Sequence, residues 1–124
     1  MISILIVDDE AIVRESIRDW LQEEGYQVEV AENGEEALPI VERRDFNVII
    51  VDLRLPGMNG LEVLKLVKAK RPSIKSIIIT AYPTDLSSEQ AQQLGPLDYL
   101  VKPIFPADLE KLIQDGVADA EKDR

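Results

Sequence analysis

"ILIVDDEAIV", residues 4 to 13, decides the fold. Four aliphatic residues run into two adjacent carboxylates, and apolar residues then keep helical spacing at Val13, Ile17 and Leu21 before Gly25. A short apolar strand that ends on charge and hands over to an amphipathic helix predicts one half of a βαβ unit. Adjacent acids raise each other's pKa unless something positive relieves them. Asp8 and Asp9 therefore ask for a cation or for solvent.

The same alternation continues outward. "ISILIV", "QVEVA", "NVIIV", "SIIIT" and "DYLV" read as five strands, rich in β-branched residues and bounded by turn signals. Leu61, Leu64 and Val67 mark a helix after Asn59-Gly60. Leu109, Leu112, Ile113 and Val117 mark the last one, with Pro106 suited to its first turn. "NGEEALPIVERR" should be helical, but Pro39 removes a backbone donor inside it, which predicts a kink or a shortened helix. "DLSSEQAQQLG" is weaker, with only Leu86, Ala91 and Leu94 apolar, and the charged "ADAEKDR" reads as a fraying helix end. Strands alternating with helices predict an α/β fold, a parallel sheet with right-handed crossovers and helices on both faces. The near-continuous apolar strands 1, 3 and 4 suit its middle, and the alternating "QVEVA" suits an edge.

The 124 residues make one domain, residues 1–124, able to bury a core without metal or disulfide staples. With 45% hydrophobic and 31% charged residues the composition is globular. A formal charge of −10 argues against direct nucleic-acid binding or attraction to anionic lipid. The chain has no cysteine, which fits a reducing compartment, and its apolar runs are far shorter than a membrane span. The expected location is the cytoplasm.

In such sheets ligands bind beyond the carboxyl ends of the strands. The first strand ends at Asp8-Asp9, the third at Asp52, the fourth at Thr80 and the last at Lys102-Pro103. Taken singly, each has an ordinary reading: a helix cap, a solvated turn acid, a strand threonine, a surface lysine. Together they place three acids, a hydroxyl and an amine on one rim. Three carboxylates there cost electrostatic energy, whereas Mg²⁺ takes oxygen ligands and keeps waters and phosphate oxygens in its shell. A carboxylate beside a bound metal can attack phosphorus, and a lysine ammonium can neutralise phosphoryl oxygens. Asp52, Lys102 and Thr80 suit those roles.

"ILIVDDE", "VIIVDLRLPGMNGLEVL", "SIIITAY" and "DYLVKP", in that order and at strand ends, resemble the response-regulator receiver domain of two-component signalling over residues 2 to 118. The resemblance implies a flavodoxin-like, doubly wound five-stranded sheet of order 2-1-3-4-5 and phosphoryl acceptance by Asp52. It implies Mg²⁺, with Mn²⁺ as a substitute, held by Asp9, Asp52 and the backbone carbonyl of Arg54, with Asp8 acting largely through water. Lys102 would contact the phosphoryl group, Thr80 would be the hydroxyl switch, and Tyr99 the aromatic that follows it. Arg54 and Tyr82 would flank the path of attacking water and tune dephosphorylation, and the Lys102–Pro103 peptide would be cis. The implied partners are a sensor histidine kinase or phosphotransfer protein and a downstream effector or effector domain. The face of fourth helix, last strand and last helix would carry the output, with a dimer through it as one option. The chain would catalyse its own aspartyl phosphorylation and dephosphorylation without being a conventional turnover enzyme. Departures from the family pattern are Pro39 in the second helix and Pro96, where the family commonly places alanine.

Three other readings compete. A haloacid-dehalogenase-type phosphatase also uses a strand-end aspartate and Mg²⁺, but needs a second aspartate where this chain has Arg54. A nucleotide-binding protein ranks lower again, because "AENGEEAL" lacks the lysine and loop spacing of a P-loop. The other alternative is a phosphorylation-independent scaffold.

Overall fold

A computed structural model describes residues 1–95 and 97–122, the last four of these as helix backbone only. Pro96 and the end of "ADAEKDR" lie outside the described residues. The chain alternates β1 (Ser3–Val7), α1 (Ala11–Glu23), β2 (Gln27–Ala31), α2 (Gly34–Arg43), β3 (Val48–Asp52), α3 (Gly60–Lys70) and β4 (Lys75–Thr80). A 3-10 helix (Pro83–Ser87), α4 (Glu89–Gln93), β5 (Asp98–Val101) and α5 (Pro106–Lys122) complete it. All strand pairs are parallel and the order is β2-β1-β3-β4-β5, as expected for the doubly wound sheet. The alternating "QVEVA" strand is the edge.

Because side chains alternate across a strand, the two sheet faces draw on alternate residues. Leu5, Val7, Ile49, Val51 and Ile78 pack with Ala37, Ile40 and Val41 of α2 and Val63, Leu64 and Val67 of α3. Ile4, Ile6, Val48, Ile50, Ile77 and Ile79 pack with Ile17 and Leu21 of α1 and Leu109 and Ile113 of α5. Every residue of β3 is buried, as its unbroken apolar run predicts. None of the described helices is long and apolar enough to cross a membrane.

Two helical segments bear on the expectations from local pattern in different ways. α2 continues through Pro39 to Arg43, so the predicted shortening does not occur. Asn33 caps it by accepting from the Glu36 N–H at 2.9 Å, and buried Ala37, Ile40 and Val41 hold it against the sheet. Tertiary packing here outweighs an interior proline's cost of roughly 3 kcal/mol. The fourth helical segment is as weak as its pattern: one 3-10 stretch with no buried residue, then five α-helical residues with only Ala91 buried. Ser88 caps that short helix through the Ala91 N–H.

The close fit beneath the strand ends rests on one glycine. A Cβ at Gly60 would lie 2.2 Å from the Asp52 carbonyl oxygen, so only glycine lets α3 begin against the end of β3.

Candidate phosphoacceptor site

Register brings the strand-end residues together. Val7 pairs with Val51, so Asp8 and Asp52 follow side by side. Thr80 pairs with Val101, and the Lys102 N–H donates to the Thr80 carbonyl at 2.8 Å. At three strand ends the same local device orients the side chain. Asp8 Oδ1 accepts from the Glu10 N–H at 2.8 Å, Asp52 Oδ1 from the Arg54 N–H at 3.0 Å, and Thr80 Oγ1 from the Tyr82 N–H at 2.8 Å. These Asx- and Ser/Thr-type turns spend one oxygen lone pair on the backbone and fix where the rest of the group points.

The second carboxylate oxygens meet one ammonium. Lys102 Nζ lies 2.8 Å from Asp52 Oδ2, 3.0 Å from Glu10 Oε1 and 3.1 Å from Asp8 Oδ2. Burial works against the Lys102 charge, but its hydrogen bonds to Asp52 and Glu10 and the charges of Asp8 and Asp52 outweigh burial and hold its pKa above the ordinary lysine value. Asp8 goes the other way. Burial raises its pKa, and the neighbouring Asp52 charge adds to the rise despite the Glu10 N–H and Lys102.

Asp8 Oδ2 is in ion contact with Lys102 but outside hydrogen-bonding geometry, so it is a buried carboxylate oxygen without a hydrogen-bond partner. One ammonium cannot satisfy three acids, and carboxylate oxygens of Asp8, Glu10 and Asp52 all lie within 4.8 Å of one another. An under-satisfied acidic cluster of hard oxygen donors fits a small divalent cation.

Among the sequence-predicted residues, Asp8, Asp52 and Lys102 are in direct mutual contact, and Thr80 is buried beside them on the neighbouring strand. Asp9 is exposed and stands outside the group of converging oxygens; Glu10, unremarked in the sequence, stands inside it. The signal was available in principle, since Asp8 and Glu10 are two apart and a strand-end aspartate commonly bonds the N–H two residues on. Arg14 was also missed. It is buried on α1 and its guanidinium donates to the Asp8 carbonyl at 2.8 Å, propping the turn that carries the acids. The Lys102–Pro103 peptide is cis. Tyr99 and Tyr82 are each half exposed. The Arg54 guanidinium carbon lies 3.5 Å above the centre of the Tyr82 ring, and its Nε donates to Asp85 at 2.9 Å.

Known proteins resemble this chain in both sequence and fold. The response regulator receiver domain model matches residues 4–114. The transcriptional regulatory protein ZraR of Klebsiella oxytoca is 38% identical over 115 residues, covering 90% of this chain and 24% of that protein. The chain spans about a quarter of the length of such curated relatives. A CheY-like receiver domain protein from Methanospirillum hungatei superposes with a TM-score of 0.93 at 35% identity, covering 100% of this chain and 99% of that one. The response regulator TrrA of Thermotoga maritima, solved in complex with Mg²⁺ and BeF, gives a TM-score of 0.79 at 39% identity, covering 94% of this chain and 99% of that one. The chain belongs to the response regulator receiver domain family, the receiver module of two-component systems, and its acidic pocket fits the phosphoacceptor site. The phosphatase and scaffold alternatives are not favoured.

Proposed function

We propose that residues 1–124 form one receiver domain in which Asp52 takes a phosphoryl group from a sensor histidine kinase or phosphotransfer protein. The observation that carries this reading is the convergence of Asp52 Oδ2, the Lys102 ammonium and the under-satisfied Asp8 carboxylate at one rim. Asp52 attacks phosphorus through Oδ2 while its Oδ1 stays on the Arg54 N–H. The bond from phosphorus to the donor's leaving group breaks as the aspartyl mixed anhydride forms. Lys102 is held charged and stands where it can follow the phosphoryl oxygens. Mg²⁺ or Mn²⁺, when bound, neutralises charge between the acids and the incoming phosphoryl group.

The residues that would hold the metal are Asp52, the Arg54 carbonyl and the Asp8-Asp9 pair, Asp8 largely through water. The position of Glu10 makes it the rival to Asp9 for direct ligation. Calorimetric Mg²⁺ titration decides between them: Asp9→Ala weakens binding strongly and Glu10→Gln little, whereas the reverse order assigns the ligand to Glu10. Thr80, whose oxygen already accepts from Tyr82, keeps its hydroxyl proton to donate to the phosphoryl group, and Tyr99 turns in response. The rearranged face of α4, β5 and α5 then acts on an effector or effector domain, dimerisation through that face being one means. The setting is cytoplasmic, with no direct role for nucleic acid or membrane. The domain thus catalyses its own phosphorylation and dephosphorylation.

Incubation with acetyl phosphate and Mg²⁺ should give one adduct, mapped to Asp52. Labelling that persists in Asp52→Ala, or that ignores chelator, contradicts the assignment.

A further inference from the structure

The Arg54 side chain ties two loops across the mouth of the site. Its guanidinium lies over the Tyr82 ring and forks onto Asp85, with Nε 2.9 Å from Oδ2 and a second nitrogen 3.5 Å from Oδ1. Asp85 belongs to the 3-10 helix, none of whose residues is buried. The pair also walls a cavity of about 440 Å³, bounded by Leu53, Leu55 and Leu61 on one side and by Ser88 and Gln90 on the other. The bridge therefore links the β3–α3 loop to the segment leading to α4, alongside a longer hydrogen bond that Asn59 donates to Gln90 at 3.5 Å.

We propose that Arg54 is a two-position coupling residue: it holds Asp85 in the resting state and leaves it for the phosphoryl group once Asp52 is modified, releasing the 3-10 helix and α4. This rests on the phosphoacceptor reading and adds to it a second route for the signal, independent of the Thr80 hydroxyl.

Four considerations carry it. Arg54 is two residues from Asp52, and its own N–H is bonded to the Asp52 carboxylate at 3.0 Å, so its side chain starts beside the place where charge will appear. A phosphoryl group brings about two negative charges and several strong acceptor oxygens, against the single charge of Asp85, and guanidinium groups fork onto phosphate at least as well as onto carboxylate. The bond to be broken is weak, because both side chains are substantially exposed, Arg54 57% and Asp85 36%, and exposed ion pairs contribute little. Tyr82 provides a flat surface on which the guanidinium can turn without losing its aromatic contact. Once unpaired, Asp85 and the phosphoryl group repel, which moves the exposed segment away from the site.

The competition makes a signed prediction that a merely structural bridge does not. Binding of beryllofluoride, a phosphoryl mimic, to the Mg²⁺-loaded full chain is measured by fluorine NMR in wild type, Asp85→Asn, Arg54→Ala and the double variant. Removing the competing carboxylate should tighten beryllofluoride binding about two- to fivefold, the range expected for an exposed pair. Arg54→Ala should weaken it, and in the Arg54→Ala background Asp85→Asn should have a clearly smaller effect, because only the repulsion by Asp85 is then relieved. Amide exchange over residues 83–95 without beryllofluoride should speed up in Asp85→Asn, with Asp85→Glu restoring protection. If Asp85→Asn leaves affinity unchanged or lowers it, or acts equally with and without Arg54, the coupling is wrong while the phosphoacceptor reading stands. If the wild type shows no Mg²⁺-dependent beryllofluoride binding, the phosphoacceptor reading fails and the coupling falls with it.

Discussion

The two flanks of the sheet are built to different standards. On one, β1 and β3 are buried strands clamped by α1, α2, α3 and α5, and the turn that carries the acids is braced by buried Arg14. On the other, the fifteen residues from Ala81 to Gly95 contribute a single buried side chain, Ala91. The acids proposed to hold the reacting geometry sit on the first flank, and the segment proposed to move sits on the second. Few buried contacts mean a low free energy of local opening, which is what a responsive element needs. The difference teaches that packing density varies sharply within one small sheet, which suits the proposed separation of chemistry from response.

The contrast is most easily broken by core truncation. Ile50 of β3 is fully buried, and Ile50→Ala should cost about 2–5 kcal/mol in urea unfolding. Leu86→Ala, on the partly buried side chain of the 3-10 helix, should cost less than about 1 kcal/mol. Equal costs would mean that the flanks are packed alike.

A smaller effect concerns the strain stored on the rigid flank. The Asp8 pKa is raised by burial, so its charged form penalises the folded state above that pKa, and the penalty disappears below the ordinary carboxylate value of 3.8. Asp8→Asn keeps the acceptor for the Glu10 N–H and removes the charge. The metal-free variant should be more stable than wild type at pH 7, read as a higher Tm, and the gain should shrink as the pH falls through the raised pKa. A Tm difference that does not vary with pH would show that Asp8 is not under electrostatic strain.

The smallest effect lies at the boundary between the flanks. Arg54 and Tyr82, stacked at the mouth of the site, should shield the phosphoryl group from water. Replacing both with alanine should shorten the lifetime of the phosphorylated state about threefold, a small change in barrier. Unchanged decay after a chase would remove shielding from the account.

Legibility followed the range of the interactions. Strands, three of the helices and the rim of strand-end residues were readable because period-two and period-3.6 patterns are local and the strand ends follow from them. The weak fourth helix was readable for the same reason, as an absence of pattern. Apart from the local contacts of Glu10 and Arg14 with Asp8, what escaped depends on partners far along the chain. Lys102 meets Glu10 across 92 residues and Arg54 meets Asp85 across 31, and neither pair leaves a mark in its neighbourhood. Pro39 misled in the other direction, since its local penalty is real but Ala37, Ile40 and Val41 hold the helix to the sheet.

The division of labour between flanks is tested most directly by amide hydrogen exchange in the Mg²⁺-loaded wild type with and without beryllofluoride. Strands β1 and β3 should stay as protected as before, while residues 83–95 and β5, including Tyr99, change. Changes spread evenly over the sheet, or confined to the turn carrying Asp8 and Asp9, would contradict the account.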